Sequence, residues 1–142
     1  MSGRDTSVST QQIQISDKHH ADFNSSTADF IVRSCDGVRF KCHKLFLQEA
    51  SPVFRTMLSL PQPSGQASGT VTPDPTAKPP SIDLSEDSTV LEILLRLIYP
   101  MIQPVIESVK SLTAAFLASE KYEMAGVISS LRYVTYNFKI VL

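Results

Sequence analysis

The sequence has almost no imbalance of charge: 13 Lys and Arg against 14 Asp and Glu leave a formal net charge of -1. No basic excess is available to attract nucleic acid or an anionic membrane surface. Long apolar runs are also missing. None approaches the roughly 20 residues of a membrane span, and no apolar stretch near the N-terminus resembles a secretion signal. An intracellular protein, cytoplasmic or nuclear, is therefore expected. Phosphate-binding loops, nucleophile elbows and zinc-ligand spacings are absent from the sequence as well. Of the nucleophile and base pairs, only Cys42-His43 invites attention, and neighbours on a strand point to opposite faces. The expectation is a protein that is not an enzyme, with no cofactor and no small-molecule substrate.

Cysteine is scarce, with two residues, Cys35 and Cys42. A hairpin reading places the first in a turn and the second in a strand, too far apart for a disulfide, so both are expected as free thiols. His19-His20 lies in a polar segment without spaced ligands and reads as a solvated pair.

What is present is enough for one domain. At 142 residues with 42% hydrophobic content, the chain supports a single core beside polar segments. Residues 1–26 read as a disordered N-terminal tail, in which Ile13 and Ile15 alternate with glutamines and could add a strand. Residues 61–80 hold six of the nine prolines and two of the five glycines, a flexible surface insertion whose Thr72-Pro73 is read as solvated linker. The domain itself spans 27–136, followed by a short tail, 137–142.

The most ordered signal runs from Ala28 to Leu58. Phe30 and Val32 alternate with Ile31 and Arg33, and Val38, Phe40 and Cys42 alternate with Arg39 and Lys41, as in half-buried strands. A two-residue Asp36-Gly37 turn would mix charge and core on each face. A three-residue loop, Cys35-Asp36-Gly37 with Gly37 in the left-handed position, instead pairs Val32 with Phe40 and Phe30 with Cys42. After His43 the period becomes helical through Ala50. Ser51-Pro52 then supplies an N-cap and a first helical residue for a helix through Val53, Phe54, Met57 and Leu58. Ile82 to Leu84 reads as a third strand joining the hairpin's sheet. Helices follow over Thr89–Tyr99, with a Glu92/Arg96 ion pair, from near Ile106 to Tyr122, and over Ala125–Tyr136. The ending NFKIVL is short and strand-like.

Asp29-Phe30 opening a strand, Asp36-Gly37 at the turn, Phe40-x-x-His43-Lys44 entering a helix with Leu47, and Ser51-Pro52-Val53-Phe54 with Met57-Leu58 together resemble the signature of the BTB/POZ domain. More loosely, the chain resembles the short BTB proteins of mushroom-forming fungi. Those relatives usually continue into further helical sequence, so the ending is expected to be a truncated or alternatively spliced one.

The resemblance implies an α+β fold, a small three-stranded sheet packed against about five helices. It also implies protein–protein interaction, foremost homodimerisation. The partner surface would hold Asp29, His43, Lys44, Leu45, Leu47 and Gln48. In the family the aspartate opening the first strand and the basic residue after the histidine form a charged pocket at the dimer interface, which here would be Asp29 and Lys44. The same pair would equally serve as an ordinary exposed ion pair worth about 0–1 kcal/mol.

Two further roles known in the family are a cullin ubiquitin-ligase adaptor and a transcriptional regulator. The first uses a hydrophobic-x-Glu motif on the helix equivalent to Thr89–Tyr99. Here Glu92 falls one residue early, about 100° round the helix. The second needs a DNA-reading module, and no zinc-finger spacing or basic region is present.

Overall fold

The computed structural model describes residues 18–60 and 78–141. The proposed Ile13/Ile15 strand, Thr72-Pro73, most of the insertion and the final residue lie outside them.

The hairpin forms as its alternation dictates. Strands β2 (Phe30–Arg33) and β3 (Val38–Cys42) run antiparallel with Phe30 opposite Cys42 and Val32 opposite Phe40. Gly37 takes φ 85°, the left-handed geometry that only glycine adopts without strain. Its N–H donates to the Ser34 carbonyl at 3.0 Å, and Ser34 closes the loop by exchanging bonds with Val38. Phe30, Val32, Phe40 and Cys42 then line one face and are at most 2% exposed.

The sheet has four strands rather than three. β4 (Ser81–Asp83) joins β2 in parallel, with Val32 opposite Ile82, one residue earlier than the periodicity suggested. β1 (Lys18–His19) joins the free edge of β3, also in parallel, giving the order β1-β3-β2-β4. Two residues carry no readable period, so β1 could not be found by alternation.

β1 corrects the reading of residues 18–26 as part of a disordered tail. The Lys41 N–H donates to the Phe23 carbonyl at 2.8 Å, and the Phe23 ring is 2% exposed. Of the His19-His20 pair, His19 is exposed as expected but His20 is not solvated. His20 stacks on Phe40 at 5.0 Å, meets Phe23 edge-on at 5.3 Å, and lies 3.3 Å from Glu92. Two aromatic contacts and a carboxylate compensate for the lost water.

Five helices pack on the sheet's apolar face: α1 (Lys44–Ala50), α2 (Pro52–Ser59), α3 (Ser88–Ile98), α4 (Val109–Lys121) and α5 (Ala125–Val141). Caps set most of their starts. Ser51 accepts from the Phe54 N–H ahead of Pro52, and its own hydroxyl donates to the Tyr122 carbonyl, so the cap also ties α2 to the end of α4. Asp87 caps α3 through the Val90 N–H, and Asp36 reaches from the hairpin turn to the Ser88 N–H and hydroxyl. Ser108 caps α4, which therefore starts at Val109 rather than near Ile106; Ile106 is instead buried from an extended approach.

α5 continues to Val141, so residues 137–141 are helical rather than strand-like. Extending a helix already under way costs far less than nucleating new structure, which overrides the local β preference of Ile140 and Val141. The α+β architecture is the one expected. Its core runs from Val32 and Phe40 through Leu47, Phe54 and Leu94 to Leu131.

Candidate protein-interaction surface

The residues proposed for partner contact gather around the start of α1, where the chain leaves β3. Helix α1 lacks a conventional cap, since its N-cap residue, His43, makes no side-chain capping bond. Asp29 supplies it from across the sheet edge. Its Oδ1 accepts from the Lys44 N–H at 2.8 Å, while its own N–H donates to the Cys42 carbonyl at 3.1 Å. Asp29 and Lys44 thus meet through the main chain of Lys44, and among the described residues the Lys44 ammonium forms no ion pair with Asp29.

His43 cannot cap because its ring is engaged elsewhere. Its main-chain N–H donates to the Tyr99 hydroxyl at 2.7 Å, leaving the hydroxyl proton to face Nδ1 at 3.0 Å. Nε2 then carries the ring proton toward Thr27 Oγ1 at 2.8 Å, the tautomer that gives each contact one donor and one acceptor. Tyr99 also stacks on Phe46 at 4.5 Å and meets Phe23 edge-on at 5.5 Å. Burial holds its hydroxyl well above the ordinary tyrosine range. Burial likewise pushes the Cys42 thiol up to about 12, which keeps it protonated and unreactive.

Of the other candidates, Leu45 projects outward at 64% exposure, and Lys44 and Gln48 are half-buried. Leu47 must be withdrawn from the surface: it is 1% exposed and packs in the core. Leu47 lies two positions, about 200°, round the helix from Leu45, so the two cannot face the same partner. Tyr99, which holds His43 in place, was not among the sequence candidates. Its only sequence signal was its place at the end of a helix before Pro100.

A second cluster lies beside β1. His20, Asp22 and Glu92 offer three ligand-type atoms within 4.8 Å of one another. The Arg96 guanidinium already lies among them, bonded to Glu92 at 2.9 Å and to Asp22. A cationic side chain thus meets the carboxylates that a metal ion would need, and the arrangement is an ion-pair network pinning β1 to α3. It also occupies Glu92, the acid considered for the hydrophobic-x-Glu motif.

On the Phe46 flank of α1, a groove opens between α1, the end of α3 and the start of α5. Phe46, Leu97, Ile98 and Val127 contribute apolar surface, while Glu49 and Glu123 contribute carboxylates. Among the described residues no helix is long and apolar enough to cross a membrane.

Comparison with known proteins agrees with this architecture. No curated protein matches the chain. Among solved structures, the BTB domain of zebrafish PATZ1 is similar with a TM-score of 0.54 at 16% identity, over 78% of this chain and 76% of that one. That is a likeness of fold. The family description "BTB/POZ domain" matches residues 18–138, most of the sequence. The chain belongs to the BTB/POZ family, whose domains are protein–protein interaction modules.

Proposed function

We propose that this BTB domain is a homodimerising scaffold that self-associates through the exposed side of α1. The observation that carries the reading is Leu45: a large apolar side chain, 64% exposed, on a helix otherwise fastened down by Asp29, Tyr99 and Leu47. Lys44 and Gln48 flank it as a polar rim, the arrangement of an interface anchor. Asp29 contributes by holding the first turn of α1 rather than by pairing with the Lys44 ammonium. A place among the short BTB proteins of mushroom-forming fungi rests on general likeness of sequence alone.

Light scattering behind size-exclusion chromatography over a concentration series tests the reading. The full chain is expected to run as a dimer, and Leu45→Glu to shift it to a folded monomer. A wild-type monomer at every concentration, or a Leu45→Glu variant that dimerises unchanged, overturns it.

A further inference from the structure

The groove on the Phe46 flank of α1 has a distinct chemistry. Its apolar surface comes from Phe46, Leu97 and Ile98 over the buried Val127, and among the described residues its charged lining is acidic, Glu49 and Glu123, with no lysine or arginine. Neither carboxylate has an ion pair among the described residues. The nearby Lys121 is already held by Glu86 at 2.9 Å.

Glu123 is placed there by an unusual backbone. It follows the C-cap of α4 with φ 54°, and the Met124 N–H closes the helix end onto the Ser119 carbonyl at 2.8 Å. Glycine is the residue best suited to this left-handed position. A glutamate here keeps the same turn while placing a carboxylate beside the groove.

We infer that this groove docks a basic, amphipathic segment of a partner protein, an apolar side chain resting on Phe46 and Ile98 with a flanking arginine or lysine held by Glu49 and Glu123. Charge complementarity selects this occupant: two unpaired acids beside an apolar surface repel an acidic peptide and leave a purely apolar one without polar partners. Arginine suits the site well, since its stem lies on apolar surface while its head meets a carboxylate. The site overlaps the proposed dimer face only in part: Phe46 lies about 100° round α1 from Leu45, whereas Glu49, four residues on, lies about 40° from it.

The test is an amide-shift NMR titration of the full chain with a blocked peptide, Leu-Arg-Ala-Leu-Arg, and with its counterpart carrying glutamate in place of arginine. The basic peptide is expected to shift amides of residues 46–50, 97–98 and 123–127, weakly and more strongly at low salt. The acidic peptide should leave them in place. Glu49→Gln with Glu123→Gln should weaken binding about five- to tenfold. Glu123→Gly should weaken it too while holding or raising the thermal midpoint, which separates loss of the carboxylate from loss of fold. Leu45→Ser, which removes the apolar anchor without adding a charge one turn from Glu49, should bind the basic peptide as the wild type does, so that failure of the dimer is read separately from failure of the groove. Shifts scattered over the surface, equal response to the acidic peptide, or undiminished binding by the double glutamine variant overturns the inference.

Discussion

Asp29 accepts a hydrogen bond from the main-chain N–H of Lys44 at 2.8 Å, so the residue before β2 caps the helix that follows β3. The contact spans 15 residues and closes the hairpin into a unit with α1. An aspartate at a helix start is favourable both as an acceptor and through the helix dipole. Asp29→Ala should therefore cost about 0.5–2 kcal/mol of stability. Asp29→Asn should recover much of this, because its carbonyl oxygen still accepts. Urea unfolding of the three proteins checks the prediction, and equal loss in Ala and Asn variants would point to charge rather than capping.

Tyr99 makes the second fastening of the same helix. Its hydroxyl accepts the His43 main-chain N–H, which lies in a half-buried position with no other acceptor. Tyr99→Phe keeps the stacking on Phe46 but leaves that N–H unsatisfied, at an expected cost of about 1–3 kcal/mol. The measurement is again chemical unfolding. A neutral Tyr99→Phe would show that water replaces the hydroxyl.

These two contacts also show what the sequence could and could not reveal. The hairpin was legible because alternation on both strands and a glycine at the turn allowed only one register with a uniform apolar face. Ser51-Pro52 marked a helix start for equally local reasons. The capping by Asp29 was hidden because an aspartate near a lysine reads as an ion pair, whereas the carboxylate takes the backbone N–H instead. Tyr99 reaches His43 across 56 residues, a distance no period encodes. Leu47 was assigned to the surface with its neighbours, although helical rotation turns it inward beside Phe54. Phe23 was missed for the opposite reason: a single aromatic in a polar stretch gives no pattern, and its burial depends on a strand edge formed elsewhere.

Acid sensitivity should centre on Glu86. Burial opposes its charge, but hydrogen bonds from the Lys121 ammonium at 2.9 Å and the Tyr122 hydroxyl at 2.7 Å outweigh burial and hold its carboxyl below the usual range. A carboxyl depressed in the folded state is protonated more readily in the unfolded chain. Its contribution is complete above the unfolded value, near 4.3, and is lost as pH falls through the folded value. Stability should thus fall between about pH 5 and pH 3. Glu86→Gln should be less stable at neutral pH and show a shallower fall on acidification. Urea midpoints across this range decide it, and an identical slope in wild type and variant would remove Glu86 as the cause.

The N-terminal segment provides the last test, because the fold assigns it a structural role that its composition conceals. Phe23 is 2% exposed and sits against Phe40 at 5.6 Å and Tyr99 at 5.5 Å, on the same side as the His20 stack. Removing its ring leaves a cavity beside three aromatic rings that are themselves held by the sheet and by α1, so collapse around it is limited. Phe23→Ala should cost about 3–5 kcal/mol. Ile102→Ala, by contrast, truncates an apolar side chain that is 83% exposed and should change stability by less than about 0.5 kcal/mol. If both variants unfold at the wild-type midpoint, residues 18–26 do not contribute to the stable fold. A large loss confined to Phe23→Ala places the domain's working boundary before β1 rather than at Thr27, and any shortened form beginning at Thr27 would lack part of its own core.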